Sequence, residues 1–493
     1  MTTNENKQGL GRYIAWAGFP LALLVLLVLC LMPTPSGLTI WGQRALAVFI
    51  FALILWLTTP VPAWLTSLLA IAILPIVGGY SVTSTFQQLG QDVIWLMVCA
   101  FILSSGMEKT GIGKRLAYGL LLVFGGSPSL ILLGLLFINL ALAFVIPSTT
   151  ARASILLPIA LLVAEAFNLK RGESNYGKVL MMQQPMANNL STSMILTATA
   201  PQILAWSFIK SMAGVEIPWL SWLVAQMPII LAMLIILWIV GLKIFPPEVP
   251  YKAAELRSKV REELKTMGPL SLQEKITLVI FLMVILLWAT DQWHTQMFAG
   301  LSIPYALAAV IGAALMFLPK IGPLKSWSDA KIPWDLMIFS AGAYAVGLAL
   351  NDSGGGQWLV GSAVSWMGLS KGMNPYIVYA LLLGLMLYSH IFFSSKTTRT
   401  AIFIPLYIAL AKSLEISPVV VALPAAFVIS WDVTFPYNCK PNLIYFGTGY
   451  FDMKDMVKYG LTICTIGFIL YLVIGWSWFN FLASIGMLPG WKI

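Results

Sequence analysis

Long stretches without a charged residue constrain the fold of this chain more than any other feature. Residues 13–32, 45–80 and 219–242 contain no Asp, Glu, Lys or Arg, and each reaches the roughly 20 residues that an apolar helix needs to cross a bilayer. A backbone in lipid must satisfy its hydrogen bonds within its own segment, so such stretches are expected to be helices. Membrane barrel strands are shorter and alternate in polarity. The sequence therefore predicts an all-α polytopic membrane protein.

The composition agrees with repeated membrane crossings. Of the 493 residues, 59% are hydrophobic and 10% are charged, whereas about a quarter of the residues in a typical soluble domain are charged. The formal net charge is +10, and the basic residues lie mostly in short connections between apolar runs, where anionic lipid and the positive-inside bias explain them. We therefore expect the lipid bilayer, and no nucleic acid, as a partner.

The N-terminal segment carries Lys7 and Arg12 ahead of an apolar run. This run is longer than that of a signal peptide and lacks a small-residue cleavage site, so we interpret it as the first membrane helix. The four cysteines are scattered through apolar segments without the spacing of a zinc site or a disulfide framework. With two histidines and no carboxylate–histidine constellation, the sequence predicts no metal, no cofactor and no enzyme active site.

One stretch, residues 246–275, is rich in charges of both signs and divides the chain near its middle. By the positive-inside rule its Lys and Arg residues place it in the cytoplasm, together with the basic N-terminus of a cell-membrane protein. We interpret it as a solvated connector rather than a regulatory element. The predicted order is N-terminal scaffold helices, a first repeat, this connector, further scaffold helices and a second repeat, at residues 1–90, 91–245, 246–275, 276–333 and 334–493.

The two halves of the chain share a hydroxyl-rich motif. The first copy is IPSTTARASILLPI at 146–159, and the second is FSSKTTRTAIFIPL at 393–406. Residues 92–111 and 335–354 are also alike and lie at a similar offset, so both order and spacing are preserved. Internal duplication with discontinuous helices is typical of secondary transporters. We therefore expect two inverted repeats, each with a re-entrant hairpin around its motif.

Each half also contains a sequence that interrupts a helix, TATAPQ at 197–202 and PYNCKPN at 436–442. Pro201 and Pro441, with polar neighbours such as Asn442, break helical hydrogen bonding and free amide and carbonyl groups. Irregular backbone at membrane depth persists only where it is buried in protein or lines a cavity. A cavity between the two repeats is therefore expected.

Hydroxyl groups and helix starts supply the chemistry of this cavity. Helix N-termini carry partial positive charge and unpaired N–H groups, which together form an anion site. Two such sites facing one another suit a small molecule with two carboxylates. The predicted substrate-binding residues are Ser148, Thr149, Thr150, Ser395, Lys396, Thr397, Pro201, Pro441 and Asn442. The alternative is that these Ser and Thr residues pack small faces together or bond back to a carbonyl.

Lys396 stands in the second motif where the first motif has Thr149. A charge inside the membrane is costly and is therefore a functional candidate, although the alternative is that its ammonium group snorkels to an interface. Two arginines follow the motifs and either snorkel likewise or pair with lipid, with an acidic side chain such as Asp432, or with the substrate. The possible counter-charges are Arg152, Arg399, Lys440 and His390. His390 either senses protonation or is a hydrogen-bonded core histidine.

These residues resemble those of the divalent anion/sodium symporter (DASS) family, within it the branch of citrate, tartrate and 2-oxoglutarate/malate translocators. The mark of this family is a Ser-Asn-Thr motif at the tip of a hairpin in each half, with a broken helix that ends in Pro-Asn. The corresponding residues here are Ser148-Thr149-Thr150, Ser395-Lys396-Thr397, Pro201-Gln202 and Pro441-Asn442. The resemblance extends over essentially the whole chain.

The resemblance implies about eleven transmembrane helices, two hairpins, a homodimer built on scaffold helices and an elevator-like movement of the substrate-bearing part. In sodium-coupled members the motif asparagines help to coordinate sodium, and both are absent here. We expect the Lys396 ammonium group to act as a surrogate cation, because an opposite charge offsets a bound carboxylate strongly in a low-dielectric site.

The sequence therefore predicts sodium-independent, elevator-type antiport of C4 and C5 dicarboxylates such as succinate, malate, fumarate or 2-oxoglutarate. Two alternatives within the same class are a sodium- or proton-coupled symporter of di- or tricarboxylates and an inorganic-anion carrier. A membrane scaffold that binds an anion without moving it is the alternative from another class. Two matched broken helices disfavour that scaffold, because irregular backbone in the membrane is costly.

Overall fold

The computed structural model describes residues 2–124, 127–249, 253–366 and 372–493. Every regular element in these residues is helical, which confirms the predicted all-α class. The remaining residues of the predicted segments lie outside the described part of the chain: Met1 in the N-terminal segment, residues 125–126 and 367–371 in the repeats, and residues 250–252 in the connector.

The helices follow the predicted organisation. The N-terminal segment forms α1 (Thr2–Leu31), α2 (Ile40–Thr58), α3 (Ala63–Ile76) and α4 (Val82–Phe86). The first predicted repeat forms α5 (Asp92–Thr110), α6 (Ile112–Phe124), α7 (Pro128–Val145), α8 (Thr149–Ala166), α9 (Asn175–Met194), α10 (Ala200–Ala213) and α11 (Trp219–Ile244). The middle of the chain forms α12 (Ala253–Thr266), α13 (Leu272–Ala289), α14 (His294–Met297) and α15 (Tyr305–Phe317). The second predicted repeat forms α16 (Trp334–Asp352), α17 (Gly355–Trp366), α18 (Pro375–Ser389), α19 (Lys396–Ser413), α20 (Pro418–Val428), α21 (Lys440–Phe446), α22 (Met453–Leu470) and α23 (Trp476–Ser484).

The same order of helices occurs in both halves. A long helix (α5, α16) is followed by a shorter one (α6, α17), a helical hairpin (α7–α8, α18–α19), an interrupted helix (α9–α10, α20–α21) and a final long helix (α11, α22). The final helix of the second half continues through a π-helical turn, Tyr471–Gly475, into α23. The hairpin turns contain the hydroxyl motifs, and the interruptions contain the predicted proline breaks, so both predictions are confirmed.

Many of these helices suit a bilayer. In the described chain, seven helical segments are long and apolar enough to cross a membrane, and five shorter apolar helices accompany them. Large apolar side chains such as Leu24, Val279 and Leu381 are exposed on their outer faces, as expected for helices whose surroundings are lipid rather than water. This is the pattern of a multi-pass membrane protein.

Helices α5 and α16 lie between outer helices and the hairpin-bearing helices. Helices α2 and α3 pack against α16, and α13 and α15 pack against α5, while α16 also contacts α10 and α19. The approach of α3 to α16 is close: a Cβ added at Gly342 would lie 2.5 Å from the Cβ of Ser67, and the Ser67 hydroxyl donates to the Phe339 carbonyl at 3.1 Å. Glycine is therefore required at position 342 for this packing.

The connector helix α12 marks one end of the molecule, called the connector end below. Arg115, near the start of α6, joins three parts of the chain there. Its guanidinium donates to the Glu274 carboxylate at 2.8 Å and to the carbonyls of Gly268 at 2.8 Å and Met267 at 3.0 Å. Because α5 ends five residues before Arg115, α5 also ends at the connector end.

Helix α16 runs from the connector end to the opposite end. Lys331, just before α16, forms a 2.5 Å ion pair with Glu108 near the end of α5, which places the start of α16 at the connector end. The helix is 19 residues long, a length of roughly 28 Å at 1.5 Å per residue. Asn351 therefore lies at the opposite end.

The second helices of the two hairpins end at opposite ends of the molecule. Glu165, near the end of α8, lies 3.3 Å from Lys259 of α12 at the connector end. Lys412, near the end of α19, donates to the Met212 carbonyl at 2.7 Å and to the Asn351 side chain at 3.2 Å at the other end. The two hairpin turns consequently approach one another in the interior, beside the two helix interruptions.

Candidate anion-binding site

Both hairpin turns and both helix interruptions border one cavity of about 240 Å³, called the anion cavity below. It is lined by Phe101, Pro147, Ser148, Thr149, Thr150, Thr199, Ala200, Pro201, Leu336, Ser394, Lys396, Thr397, Cys439, Lys440 and Pro441. Residues that are about 240 positions apart in the chain thus meet at one place. The sequence-predicted site residues that line it are Ser148, Thr149, Thr150, Pro201, Lys396, Thr397, Lys440 and Pro441.

The motif serines begin α8 and α19 in nearly the same way. Ser148 has φ −141° and ψ 113°, and Ser395 has φ −127° and ψ 114°. The Ser148 hydroxyl accepts the amide of Ala151 at 3.2 Å, and the Ser395 hydroxyl accepts the amide of Thr398 at 3.2 Å. Serine is a preferred residue at this position because its oxygen satisfies an amide that has no intrahelical partner. The motifs are therefore helix starts, as predicted.

Unpaired backbone amides remain at each helix start. The first amides of a helix have no carbonyl four residues earlier to bond, and the serine caps take only the third amide of α8 and of α19. The amides of Thr149 and Thr150 in α8, and of Lys396 and Thr397 in α19, belong to residues that line the cavity. Two positively polarised helix starts therefore border one cavity, which is the arrangement that binds a molecule with two negative groups.

The Lys396 side chain turns inward. It is 8% exposed, and its ammonium group donates to the amide oxygen of Asn189 at 2.7 Å. The snorkelling alternative therefore does not describe this lysine, because its charged end lies among buried polar groups of α9. An amide oxygen solvates the ammonium without neutralising it, so a positive charge remains beside the cavity.

The amides of α9 are site residues that the sequence interpretation missed. Asn188 donates to the Thr149 carbonyl at 2.8 Å, and Asn189, besides accepting from Lys396, donates to the Asp432 carbonyl at 2.8 Å. Asn442, which was predicted, does not line the cavity; it donates to the carbonyls of Asp432 at 2.8 Å and Phe435 at 2.9 Å. These amides hold the hairpin turns against the interruptions. The signal in the sequence was QQPMANN at 183–189, a group of amides inside a helix.

Arg399 is neutralised by the protein. Its guanidinium donates to the Asp432 carboxylate at 2.8 Å and to the Ile429 carbonyl at 2.6 Å, and both charged side chains are 1% exposed. Of the alternatives left open by the sequence, pairing with Asp432 is the one that the structure shows. A buried pair of this kind links α19 to the interruption that follows α20.

Arg152 occupies the corresponding place in the first half, with a different partner. It is fully buried, and its Nη2 donates to the Thr192 hydroxyl at 2.5 Å. Its Nε and Nη1 have no hydrogen-bond partner. Among the described residues, no carboxylate forms an ion pair with it. The first half therefore has a threonine where the second half has Asp432.

Two further predicted residues lie beside the anion cavity rather than in it. Ser395 faces a separate cavity of about 110 Å³ that Trp56, Thr59 and Phe393 also line. His390 is fully buried; its Nδ1 donates to the Leu387 carbonyl at 2.5 Å, and its Nε2 shares a 2.7 Å hydrogen bond with the Thr434 hydroxyl. Both ring nitrogens are thus occupied by partners within the protein, as in a core histidine.

A larger vestibule connects the anion cavity with the connector end. It has a volume of about 580 Å³, shares Ser148, Thr150 and Lys440 with the anion cavity, and extends to Glu108 and Lys331. A substrate at the connector end therefore has a path to the motif of the first half. Within the described residues, no group of His, Cys, Asp or Glu side chains is arranged to hold a metal ion.

Two ion pairs stand at the mouth of this vestibule. Besides the pair between Lys331 and Glu108, Lys109 bonds Asp329 at 2.8 Å. The hydrogen bond from Lys109, together with those from the backbone amides of Lys325 and Ser326, lowers the pKa of Asp329 to about 2. Asp329 is consequently ionised at neutral pH, and the charges of Lys109 and Lys331 at the mouth are both balanced.

Comparison with known proteins adds independent findings. The family model described as the sodium:sulfate symporter transmembrane region matches residues 14–485. A putative malate transporter of Bacillus subtilis, YflS, is 29% identical to this chain, with 92% of this chain and 94% of YflS covered. The L-tartrate/succinate antiporter of Escherichia coli K12 is 27% identical, with 94% of this chain and 98% of the antiporter covered.

A solved structure shows a similar fold. The YdaH transporter of Alcanivorax borkumensis matches with a TM-score of 0.52 and 12% identity, covering 97% of this chain and 99% of YdaH. At this identity the likeness concerns the arrangement of helices and not the substrate.

Proposed function

The chain belongs to the divalent anion/sodium symporter family, and from this premise we propose that it is a secondary transporter that exchanges C4 and C5 dicarboxylates by sodium-independent antiport. The observation that supports this proposal most directly is the Lys396 ammonium group, which lies beside a cavity bordered by two helix starts. The names of relatives, a tartrate/succinate antiporter and a putative malate transporter, agree with such substrates. On this proposal the protein is a carrier and not an enzyme.

The substrate class follows from the two helix starts. Each α-helix start offers hydroxyl groups and two unpaired amides, and both starts border the same cavity. A molecule with one carboxylate at each end satisfies both at once, with Thr149 and Thr150 at one end and Lys396 and Thr397 at the other. Lys440, which also lines the cavity, adds a second ammonium group. Succinate, malate, fumarate and 2-oxoglutarate have the required two carboxylates.

Antiport follows from the fixed charge. A carrier that uses sodium releases both sodium and substrate and returns empty without a net charge in its site. Here the cation is covalently attached at position 396, so the empty site keeps a positive charge that is costly to move through a low-dielectric barrier. A dicarboxylate taken up on the other side lowers this cost. The loaded carrier therefore crosses the barrier faster than the empty one, and exchange is favoured over net uptake.

The movement we propose is of the elevator type. The two halves with the same helix order are interpreted as inverted repeats, because α8 and α19 end at opposite ends of the molecule. The hairpins and interrupted helices would move together, past α5, α16 and the outer helices, which form the scaffold of a homodimer as the family resemblance implies.

We assign the connector end to the cytoplasm. The chain places many basic residues at that end, among them Lys109, Lys114, Arg115, Lys259 and Lys331. In the described residues the opposite end has few, such as Lys210 and Lys412. An excess of Lys and Arg in short loops marks the cytoplasmic side. With this orientation, the vestibule opens to the cytoplasm.

Uptake of labelled succinate into vesicles reconstituted with the purified protein tests the proposal. We expect rapid uptake into vesicles loaded with unlabelled succinate and slow uptake into empty ones. Uptake into empty vesicles that is driven by a sodium or proton gradient, and is not increased by internal succinate, would contradict antiport in favour of coupled symport. Competition by sulfate in place of succinate, malate and 2-oxoglutarate would favour an inorganic-anion carrier.

A further inference from the structure

Arg152 and Arg399 occupy equivalent positions, yet only one is neutralised. Each lies four residues after its motif serine, and each helix starts with the same backbone geometry. Their partners are also equivalent: Thr192 lies seven residues before Thr199, and Asp432 lies seven residues before Cys439. Thr199 has φ −164° and ψ 148°, and Cys439 has φ −157° and ψ 159°. The exchange of Asp432 for Thr192 is therefore a true difference between the halves.

The charge of Arg152 has no partner in the protein. Its side chain is fully buried, two of its three guanidinium nitrogens have no hydrogen bond, and the third bonds a neutral hydroxyl. It also lies in the first turns of α8, where the helix dipole disfavours a positive charge. An uncompensated buried charge in such a place is costly, and the missing negative charge has to come from something that is not part of the protein.

The anion cavity is the nearest place for that negative charge. Thr149, Thr150 and their helix start border the cavity, and Arg152 follows two residues after Thr150 in the same helix. The Arg152 side chain does not line the cavity, so it acts through the electric field rather than by contact. In a low-dielectric interior such a field decays slowly.

We propose that Arg152 is a specificity-determining residue: with Lys396, it gives the buried site two unpaired positive charges, which select substrates with two negative charges. This inference rests on the proposed function and deepens it. Arg399 makes no contribution because Asp432 cancels it. A dianion then leaves the loaded site neutral, whereas a monoanion leaves one positive charge buried.

Thr192→Asp tests this proposal by giving Arg152 the partner that Arg399 already has. The measurement is inhibition of labelled succinate exchange by unlabelled succinate or by succinamate, in which an amide replaces one carboxylate. We expect Thr192→Asp to raise the succinate concentration for half-inhibition about tenfold. The value for succinamate should change little, because its single carboxylate takes the Lys396 side of the cavity. The selectivity for succinate over succinamate should therefore fall about tenfold.

Thr192→Asn is the matched control, because asparagine has the shape of aspartate without its charge. It should keep the wild-type selectivity within about twofold. Equal selectivity of Thr192→Asp and Thr192→Asn would overturn the proposal. If Thr192→Asp does not fold, Arg152→Lys and Arg152→Gln decide: the lysine variant should keep the selectivity, and the glutamine variant should lose it.

The outcomes separate this proposal from the proposed function. Absence of succinate exchange by the wild-type protein would contradict the proposed function. Wild-type exchange combined with an unchanged selectivity in Thr192→Asp, or with equal selectivity of the two Arg152 variants, would overturn only the role of Arg152.

Discussion

Three buried basic side chains show how the partner of a charge determines its effect. Arg399 is paired with the carboxylate of Asp432, Lys396 with the amide of Asn189, and Arg152 with the hydroxyl of Thr192. Only the first partner cancels the charge. In the interior of a membrane protein this difference matters more than in water, because an unpaired charge is not screened. The functional interpretation therefore depends on position 396 and not on position 399.

Lys396→Asn should impair exchange of dicarboxylates by at least about tenfold, because the variant removes the positive charge beside the substrate. The initial rate of labelled succinate uptake into succinate-loaded vesicles measures the effect. Lys454→Asn, which removes an exposed lysine from the first turn of α22, is the control and should exchange at the wild-type rate. Equal rates for both variants would show that the Lys396 charge is not used.

Asp432→Asn should destabilise the protein, because it leaves the buried Arg399 guanidinium without its carboxylate partner. Breaking one side of a buried pair costs about 3–5 kcal/mol, so the variant should unfold at a clearly lower temperature in detergent. Asp335→Asn, at an exposed position in the first turn of α16, serves as the control and should lower stability by less than about 1 kcal/mol. Equal unfolding temperatures for the two variants would contradict the structural role of this ion pair.

At the scale of helices, the local signals were sufficient to predict the irregular elements. Serine followed by two more polar residues marks a helix start, and Ser148 and Ser395 are both caps. Proline near a polar residue marks an interruption, and Pro201 and Pro441 lie in the first turns of α10 and α21. These features depend on the chemistry of neighbouring residues, which a single sequence displays.

Contacts between distant segments could not be predicted in the same way. The partner of Lys396 is Asn189, 207 residues away, and nothing in the sequence near either residue indicates the other. Asp432 was one of several possible partners for the motif arginines, and only the folded chain distinguishes Arg399 from Arg152. The missed amides, Asn188 and Asn189, illustrate the same limit: their helix was visible, but their partners were not.

The interruption between α20 and α21 is held in place by a close helix contact. A Cβ added at Gly460 in α22 would lie 2.3 Å from the carbonyl oxygen of Val433 and 2.7 Å from the Cα of Thr434. Both contacts are with backbone, which cannot rotate out of the way. The absence of a side chain at position 460 therefore allows α22 to support this irregular segment.

Gly460→Ala should displace the interruption and destabilise the protein by about 1–3 kcal/mol, as overpacking usually does. Succinate exchange should also be slower, because the displaced segment carries Asp432 and leads to Cys439 in the cavity wall. Gly119→Ala is the matched control, since a Cβ at that position in α6 meets nothing within 4 Å. Thermal unfolding and the exchange rate measure both variants. A Gly460→Ala protein that resembles Gly119→Ala would show that the contact is not tight.

At the scale of the whole molecule, the structure has one open side. The vestibule leads from the anion cavity to Glu108 and Lys331 at the connector end, and the basic residues assign that end to the cytoplasm. A separate polar cavity of about 550 Å³, lined by Asp92, Lys210 and Tyr344 among others, is not continuous with the motifs. The conformation is therefore interpreted as one that faces the cytoplasm.

Thiol labelling tests this orientation. In a variant with Cys30, Cys99, Cys439 and Cys464 replaced, Ser154→Cys places an exposed thiol in the vestibule. A membrane-impermeant maleimide should label it in inside-out vesicles and not in right-side-out vesicles. Ser211→Cys, in the cavity at the opposite end, is the control and should give the reverse pattern. Labelling of Ser154→Cys from the outside alone would contradict the assigned orientation.

The claim that a covalently attached cation replaces sodium is tested most directly by the sodium dependence of succinate counterflow. The measurement is the initial rate of labelled succinate entry into succinate-loaded vesicles with the wild-type protein, in sodium and in sodium-free buffers of equal ionic strength. We predict equal rates in the two buffers. A rate that increases severalfold with sodium and saturates at high sodium would contradict the role assigned to Lys396.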